Sequence, residues 1–120
     1  MAYRDFTDTS VWKKAFGLLI RIYQLTKSFP KDELYILTSD MKRAANSLLH
    51  NFAEGFGRYE ARDKTRFYKI SRGSAYELVS QIMVAFELTY ISAINRDELI
   101  SGYKEVIDEF DNLVLSIEGR

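Results

Sequence analysis

Apolar residues recur along this chain at the three- and four-residue spacing of helices, in four stretches separated by breaks at Phe29-Pro30, Gly55-Phe56-Gly57 and Ile94-Asn95. The first stretch runs from about Val11 to Ser28. Val11, Ala15, Leu18, Ile22, Leu25 and Phe29 share one face of it. A second row, Trp12, Phe16, Leu19 and Tyr23, lies beside the first, so the apolar arc exceeds the roughly 100° stripe of a helix with one dry face. This helix is expected to have two burial partners.

The second helix is predicted to begin near Pro30, whose fixed φ and missing N–H suit a first turn, with Asp32 and Glu33 at the positive end of the dipole. Met41, Ala45, Leu48, Phe52 and Phe56 define its core face. Gly55 and Gly57 are read as its stop, because glycine takes the left-handed conformation without a Cβ clash. The third helix, from about Ala61 to Tyr90, places Phe67, Ser71, Ser74, Leu78, Ile82 and Ala85 inward. The small Gly73 and Ser74 would let a neighbouring backbone come close.

The fourth opens with Asn95 as N-cap and Glu98 three residues on, the spacing of a capping box. Leu99, Tyr103, Val106, Phe110, Leu113 and Ile117 form its seam, and Glu105, Asp108, Glu109 and Asn112 make an acidic outer face. No window of useful length alternates with period two, so strands are not expected. The fold class is all-α, and four helices with short connections predict an up-down-up-down bundle, a single domain over residues 1–120. A looser all-α array is the alternative.

The chain holds more apolar bulk than one such bundle absorbs. It carries 47 Val, Ile, Leu, Met, Phe, Trp and Tyr side chains, whereas seven core positions on each of four helices take only about 28. The excess collects on a second face of helix 1 (Trp12, Phe16, Leu19, Tyr23) and on a second face of helix 3 (Tyr68, Val79, Met83, Phe86, Tyr90). Monomers seldom leave such patches wet. Self-association through these faces is expected; the competing reading is a bundle whose wide interfaces bury both faces internally.

Composition narrows the function classes. With His50 as the lone histidine and no cysteine, zinc, haem and disulfide chemistry are not expected, and neither metal nor cofactor is assigned. No apolar run reaches the roughly 18 residues of a membrane span and no signal peptide is visible, so a cytoplasmic protein without membrane contact is expected. Seventeen basic residues balance seventeen acidic ones. The balance hides segregation: residues 42–72 carry eight basic and three acidic side chains, residues 73–120 three and nine.

Two polar constellations follow. On helix 2, Arg43, Ser47, Asn51, Glu54 and Arg58 fall within a narrow arc opposite the core face. They form either an internal hydrogen-bond network, with Glu77 of helix 3 joining, or a stripe offered to a polar partner. On helix 3, Arg62, Arg66 and Lys69 lie together, with Arg72 and Tyr76 at the edge. Guanidinium groups grip phosphate bidentately and a tyrosine among them can stack on a base, so nucleic acid is one reading and a solvated basic face the other. A Ser47/His50 pair lacks an orienting carboxylate and an oxyanion hole, so no catalytic residue is assigned and no enzyme is expected.

Several segments resemble a known bacterial family. Val11-Trp12-Lys13-Lys14-Ala15, Ile22-Tyr23-Gln24-Leu25-Thr26 and Phe29-Pro30 are similar to the opening of the four helix bundle proteins, also called 23S rRNA-intervening-sequence proteins. These are related to the accessory protein of diversity-generating retroelements. Met41-Lys42-Arg43-Ala44-Ala45-Asn46-Ser47-Leu48, Asn51-Phe52-Ala53-Glu54-Gly55-Phe56-Gly57-Arg58 and the Phe67–Leu78 stretch resemble the family's motifs. Ile36 and Leu49-His50 depart from them, and the fourth helix resembles the family by pattern alone. The resemblance implies an antiparallel four-helix bundle, a homopentamer and no enzymatic activity. It also implies, from the retroelement relatives, a basic surface for nucleic acid and a reverse transcriptase as partner.

The expected activity is thus binding of RNA or DNA, RNA being favoured, through Arg43, Arg58, Arg62, Arg66, Lys69 and Arg72. The expected oligomer interface comprises Trp12, Phe16, Leu19, Tyr23, Val79, Met83, Phe86 and Tyr90. Ser47, Asn51, Glu54 and Glu77 are the expected structural network. A protein-interaction scaffold is the alternative function.

Overall fold

The computed structural model describes residues 5–119. Four helices follow one another: α1 (Ser10–Thr26), α2 (Leu37–Phe56), α3 (Ala61–Glu87) and α4 (Ala93–Glu118), with 3-10 turns at Phe6–Asp8 and Lys31–Glu33 and no strand among the described residues. A 27-residue helix such as α3 is about 40 Å long, close to the 43 Å longest dimension of the molecule. The helices therefore lie along one axis, and their facing sides close over Ile22, Met41, Leu48, Leu78, Ile82, Leu99, Val106 and Phe110, each essentially inaccessible to solvent.

Cross-helix contacts fix the neighbours. Between α2 and α3, Ser74 Oγ donates to Ser47 Oγ (3.0 Å), Ser71 Oγ to the Leu48 carbonyl (2.8 Å), and Gly55 meets Tyr68. Between α1 and α4, Lys14 pairs with Glu109 (2.9 Å), Leu18 lies on Gly102 and Arg21 reaches Glu98 (3.1 Å). Between α3 and α4, Lys69 pairs with Glu118, Arg72 with Asp111, and the Arg96 guanidinium covers the Phe86 ring.

Helix α1 packs on both α2 and α4, so part of its broad apolar arc is buried within the chain. Leu19 and Val79, expected at a contact between copies, are only 8% exposed here. Tyr68 likewise belongs to the core, stacked on Phe52 (5.4 Å between ring centroids) beside Phe110, while Phe67 is only half-buried. The rest of the predicted α3 face, Ser71, Ser74, Leu78, Ile82 and Ala85, is buried, so the difference is one residue, about 100°, at its N-terminal end.

The second helix starts at Leu37, not at Pro30. The Pro30 carbonyl accepts the Glu33 N–H in a 3-10 turn, and Leu34, Tyr35 and Ile36 then stand in solvent, Tyr35 at 88% exposure. Three consecutive apolar residues cannot share one helix face, and burial resumes only at Leu37. At the other end, Gly57 is right-handed (φ −79°), so the expected left-handed stop is absent. The last turn is closed instead by Lys64, whose ammonium donates to the carbonyls of Phe56 (2.8 Å) and Gly55 (3.4 Å).

Glycine serves close approach at two places. A Cβ on Gly55 would stand 2.8 Å from Tyr68 Cε1 and 2.9 Å from Phe67 Cβ, and one on Gly102 would stand 2.7 Å from Leu18 Cδ2. Gly73, the position expected to admit a neighbouring backbone, has open space around it. Helix α3 ends at Glu87, and Thr89 (φ 66°) turns the chain toward α4. Ser92, not Asn95, caps α4, its hydroxyl accepting the Asn95 N–H (3.0 Å). Asn95 and Glu98 both receive Arg21 instead (3.0 and 3.1 Å).

Candidate nucleic-acid interface

The basic residues of the middle segment converge where α2 ends and α3 begins. Four residues, 57–60, join the helices, and both sides of this corner are tied by backbone bonds: Arg58 N–H to the Gly55 carbonyl (3.2 Å) and Lys64 N–H to the Glu60 carbonyl (3.0 Å). Phe67, nearly two turns into α3, carries two guanidinium groups over its ring. Arg58 lies 4.9 Å and Arg66 4.4 Å from the ring centroid. Each such contact is worth about 0.5–1 kcal/mol at an exposed site and holds the planar fork in place.

Arg58 also meets Glu54 at 3.4 Å, an exposed pair one helical turn apart. Arg62 and Arg66 make no ion pair among the described residues. Together with Thr65, Asp63, Lys69 and Glu118 they line an open groove of about 680 Å³.

The other predicted phosphate contacts are arranged differently. Lys69 donates to Glu118 (2.7 Å), and Arg72 donates to Asp111 (2.5 Å) while covering the Tyr76 ring at 5.0 Å. Both cations face the acidic α4. Arg43 pairs with Asp40 in its own helix and sits about four turns from the corner. The structure thus brings Arg58, Arg62 and Arg66 together with Lys69 and leaves Arg43 and Arg72 to other neighbours. Sequence reasoning placed the arginines on one helix face correctly; it missed Phe67 as their support, because an adjacent residue and one nine positions upstream have no helical spacing in common.

The expected structural network is half present. Asn51 Nδ2 donates to the Ser47 carbonyl (2.8 Å) and hydroxyl (3.1 Å), and Ser74 and Ser71 complete the seam between α2 and α3. Glu54 and Glu77 lie outside it, exposed, paired with Arg58 and Gln81 on their own helical surfaces. His50 is exposed.

Among the residues expected between copies, six keep accessible surface. Trp12 stacks on Phe16 (4.9 Å), which is 43% exposed. Tyr23 accepts from Asn46 (2.8 Å) under the Lys42 ammonium. Met83 is 52% exposed, Phe86 is half covered by Arg96, and Tyr90 donates to Glu33 (2.7 Å), whose carboxylate pushes the Tyr90 phenol above its ordinary value. Ile20, Tyr76 and Val84 add exposed apolar surface that the heptad count had not singled out.

A family model described as 23S rRNA-intervening sequence protein matches residues 7–111, from the first 3-10 turn to most of α4. The chain belongs to this family. The match spans every predicted basic contact of the chain, Arg43 through Arg72. A crystal structure of a protein of unknown function, from the S23 ribosomal protein family of Bacteroides thetaiotaomicron, superposes with a TM-score of 0.80 at 16% identity. The alignment covers 87% of this chain and 97% of that one. At such identity the likeness establishes the shared four-helix fold. No curated protein matches the chain.

Proposed function

We propose that this protein is a non-enzymatic, cytoplasmic nucleic-acid-binding protein, with RNA the favoured ligand, gripped at the α2–α3 corner by Arg58, Arg62 and Arg66. The observation that carries the reading is the pair of guanidiniums held over Phe67 beside the unpaired Arg62. Lys69 is the nearest reserve. Phosphate contacts of this kind confer affinity that falls with salt and little sequence preference.

The same reading takes the bundle as antiparallel, up-down-up-down, which the order of cross-helix partners supports: Gly55 with Tyr68 but Ser47 with Ser74, and Lys14 with Glu109 but Arg21 with Glu98. It also takes the chain as a homopentamer. Exposed Phe16 and Ile20 on α1, with Tyr76 and Met83 on α3, leave apolar surface that a second copy would cover. Repetition of the arginine corner in each copy multiplies its field.

Light scattering combined with titration of labelled RNA across a salt series tests both parts. A monomer at micromolar concentration refutes the oligomer, and absence of binding at low salt, or binding indifferent to loss of Arg62 and Arg66, refutes the interface. A second reading, an accessory subunit for a protein such as a reverse transcriptase, is favoured by the exposed Leu34-Tyr35-Ile36 run. Binding to a purified reverse transcriptase that survives nuclease treatment separates it from the first.

A further inference from the structure

Tyr59 occupies the middle of the α2–α3 corner and is 96% exposed, with no hydrogen bond or ring contact among the described residues. A phenol ring left wholly in water forgoes the burial that places most aromatic side chains against other apolar surface. It is also not on a loose tip. The corner is only four residues long, both of its sides are anchored by backbone hydrogen bonds, and Lys64 clamps the preceding carbonyls. A rigid support presents a ring that itself has just two rotatable bonds, so little ordering would accompany stacking on it.

Beside Glu60, the corner around Tyr59 carries three arginines. Arg58 precedes it, Arg62 follows one turn later, and Arg66 is held on the same Phe67 ring as Arg58. Resting on the nucleic-acid reading above, we infer that the ligand is a single strand, with an unpaired base stacked on Tyr59 and its flanking phosphates on Arg58, Arg62 and Arg66. Unpaired bases offer a free π-face, whereas bases in a duplex are already stacked and paired and present only phosphates to the arginines. The tyrosine therefore discriminates single strands from duplexes, and the arginines do not.

Fluorescence anisotropy of the full chain with a short single-stranded RNA and with the matching blunt RNA duplex, at one salt concentration, tests this. Tyr59→Ala is expected to weaken single-strand binding about 5- to 150-fold, the range of one lost base stack, and to change duplex binding less than about twofold. Tyr59→Phe retains the parent affinity, because the ring and not the hydroxyl makes the contact. Equal losses on both RNAs, no loss on the single strand, or a change of oligomeric state in Tyr59→Ala overturns the inference. Arg62→Ala with Arg66→Ala is expected to weaken both RNAs; failure there refutes the nucleic-acid reading itself and is distinguishable from failure at Tyr59. The ring is almost wholly exposed, so Tyr59→Ala is expected to leave the melting temperature unchanged.

Discussion

Replacing Gly55 by alanine asks whether α2 and α3 touch as closely as their packing indicates. The added Cβ would sit 2.8 Å from Tyr68 Cε1, 2.9 Å from Phe67 Cβ and 3.0 Å from Tyr68 Cδ1, against an ordinary carbon contact of about 3.5–4.0 Å. A ring edge can rotate; Phe67 Cβ is bonded to the α3 backbone and cannot. The helices must part by about 0.7 Å, which overpacks a seam at a cost of about 1–3 kcal/mol and stretches the buried Ser71–Leu48 hydrogen bond, worth about 1 kcal/mol more. Alanine returns about 1 kcal/mol through its better helix propensity. The net expectation is a loss of about 2 kcal/mol, or about 8 °C in melting temperature for a domain of this size, measured by circular dichroism at fixed protein concentration because association raises the apparent stability. Gly57→Ala is the control. Its Cβ would make ordinary contacts at 3.6 and 3.7 Å and its φ is −79°, so it should melt within a few degrees of the parent. A Gly55→Ala protein as stable as the parent would refute the close approach, and a Gly57→Ala protein as damaged as Gly55→Ala would refute the right-handed stop.

Tyr103 is fully buried, its hydroxyl has no partner among the described residues, and burial pushes its pKa far above the ordinary tyrosine value. Tyr103→Phe should therefore raise stability by about 1 kcal/mol in urea denaturation. Because the folded-state pKa is raised, the folded form holds its proton where the unfolded form has lost it. The stability this represents is intact below about pH 10 and is lost as the pH rises above that value, so the parent should lose stability above pH 10 more steeply than Tyr103→Phe. Thr89, a β-branched residue at φ 66°, should gain about 1 kcal/mol as Thr89→Gly, read as a rise of about 4 °C in melting temperature; an unchanged midpoint would argue against a strained turn. In RNA titration, Arg66→Ala should weaken binding more than Arg72→Ala, since Arg72 is engaged by Asp111 and Tyr76, and the reverse order would relocate the interface.

The seams of the bundle were legible because burial follows helical period. Val11, Met41, Leu78, Val106 and Phe110 all lie where their spacing puts them. The helix ends were less legible. Pro30 with two acidic residues is a sound start signal, yet Glu33 serves Tyr90 across the molecule and the chain delays α2 by seven residues. That bond is non-local, and no local pattern announces it. Asn95 failed as a cap for the same reason: Arg21, far away in sequence, holds its side chain. At the candidate interface the residue types were readable and their pairing was not, since whether an arginine faces solvent or a carboxylate of α4 depends on how α3 and α4 are laid together.

That pairing gives the zero net charge a mechanical meaning. Glu118 and Asp111 act as covalently attached counterions for Lys69 and Arg72, so the lower part of the α3 stripe is already neutralised before any polyanion arrives. A strand following α3 would release salt ions only where cations are still solvated. Its salt slope should then reflect two to three neutralised phosphates per chain, Arg62 and Arg66 in full and Arg58 in part because of its exposed partner Glu54, roughly −1.4 to −2 on a logarithmic scale for a single strand, rather than the larger value that counting every Lys and Arg of the stripe would give.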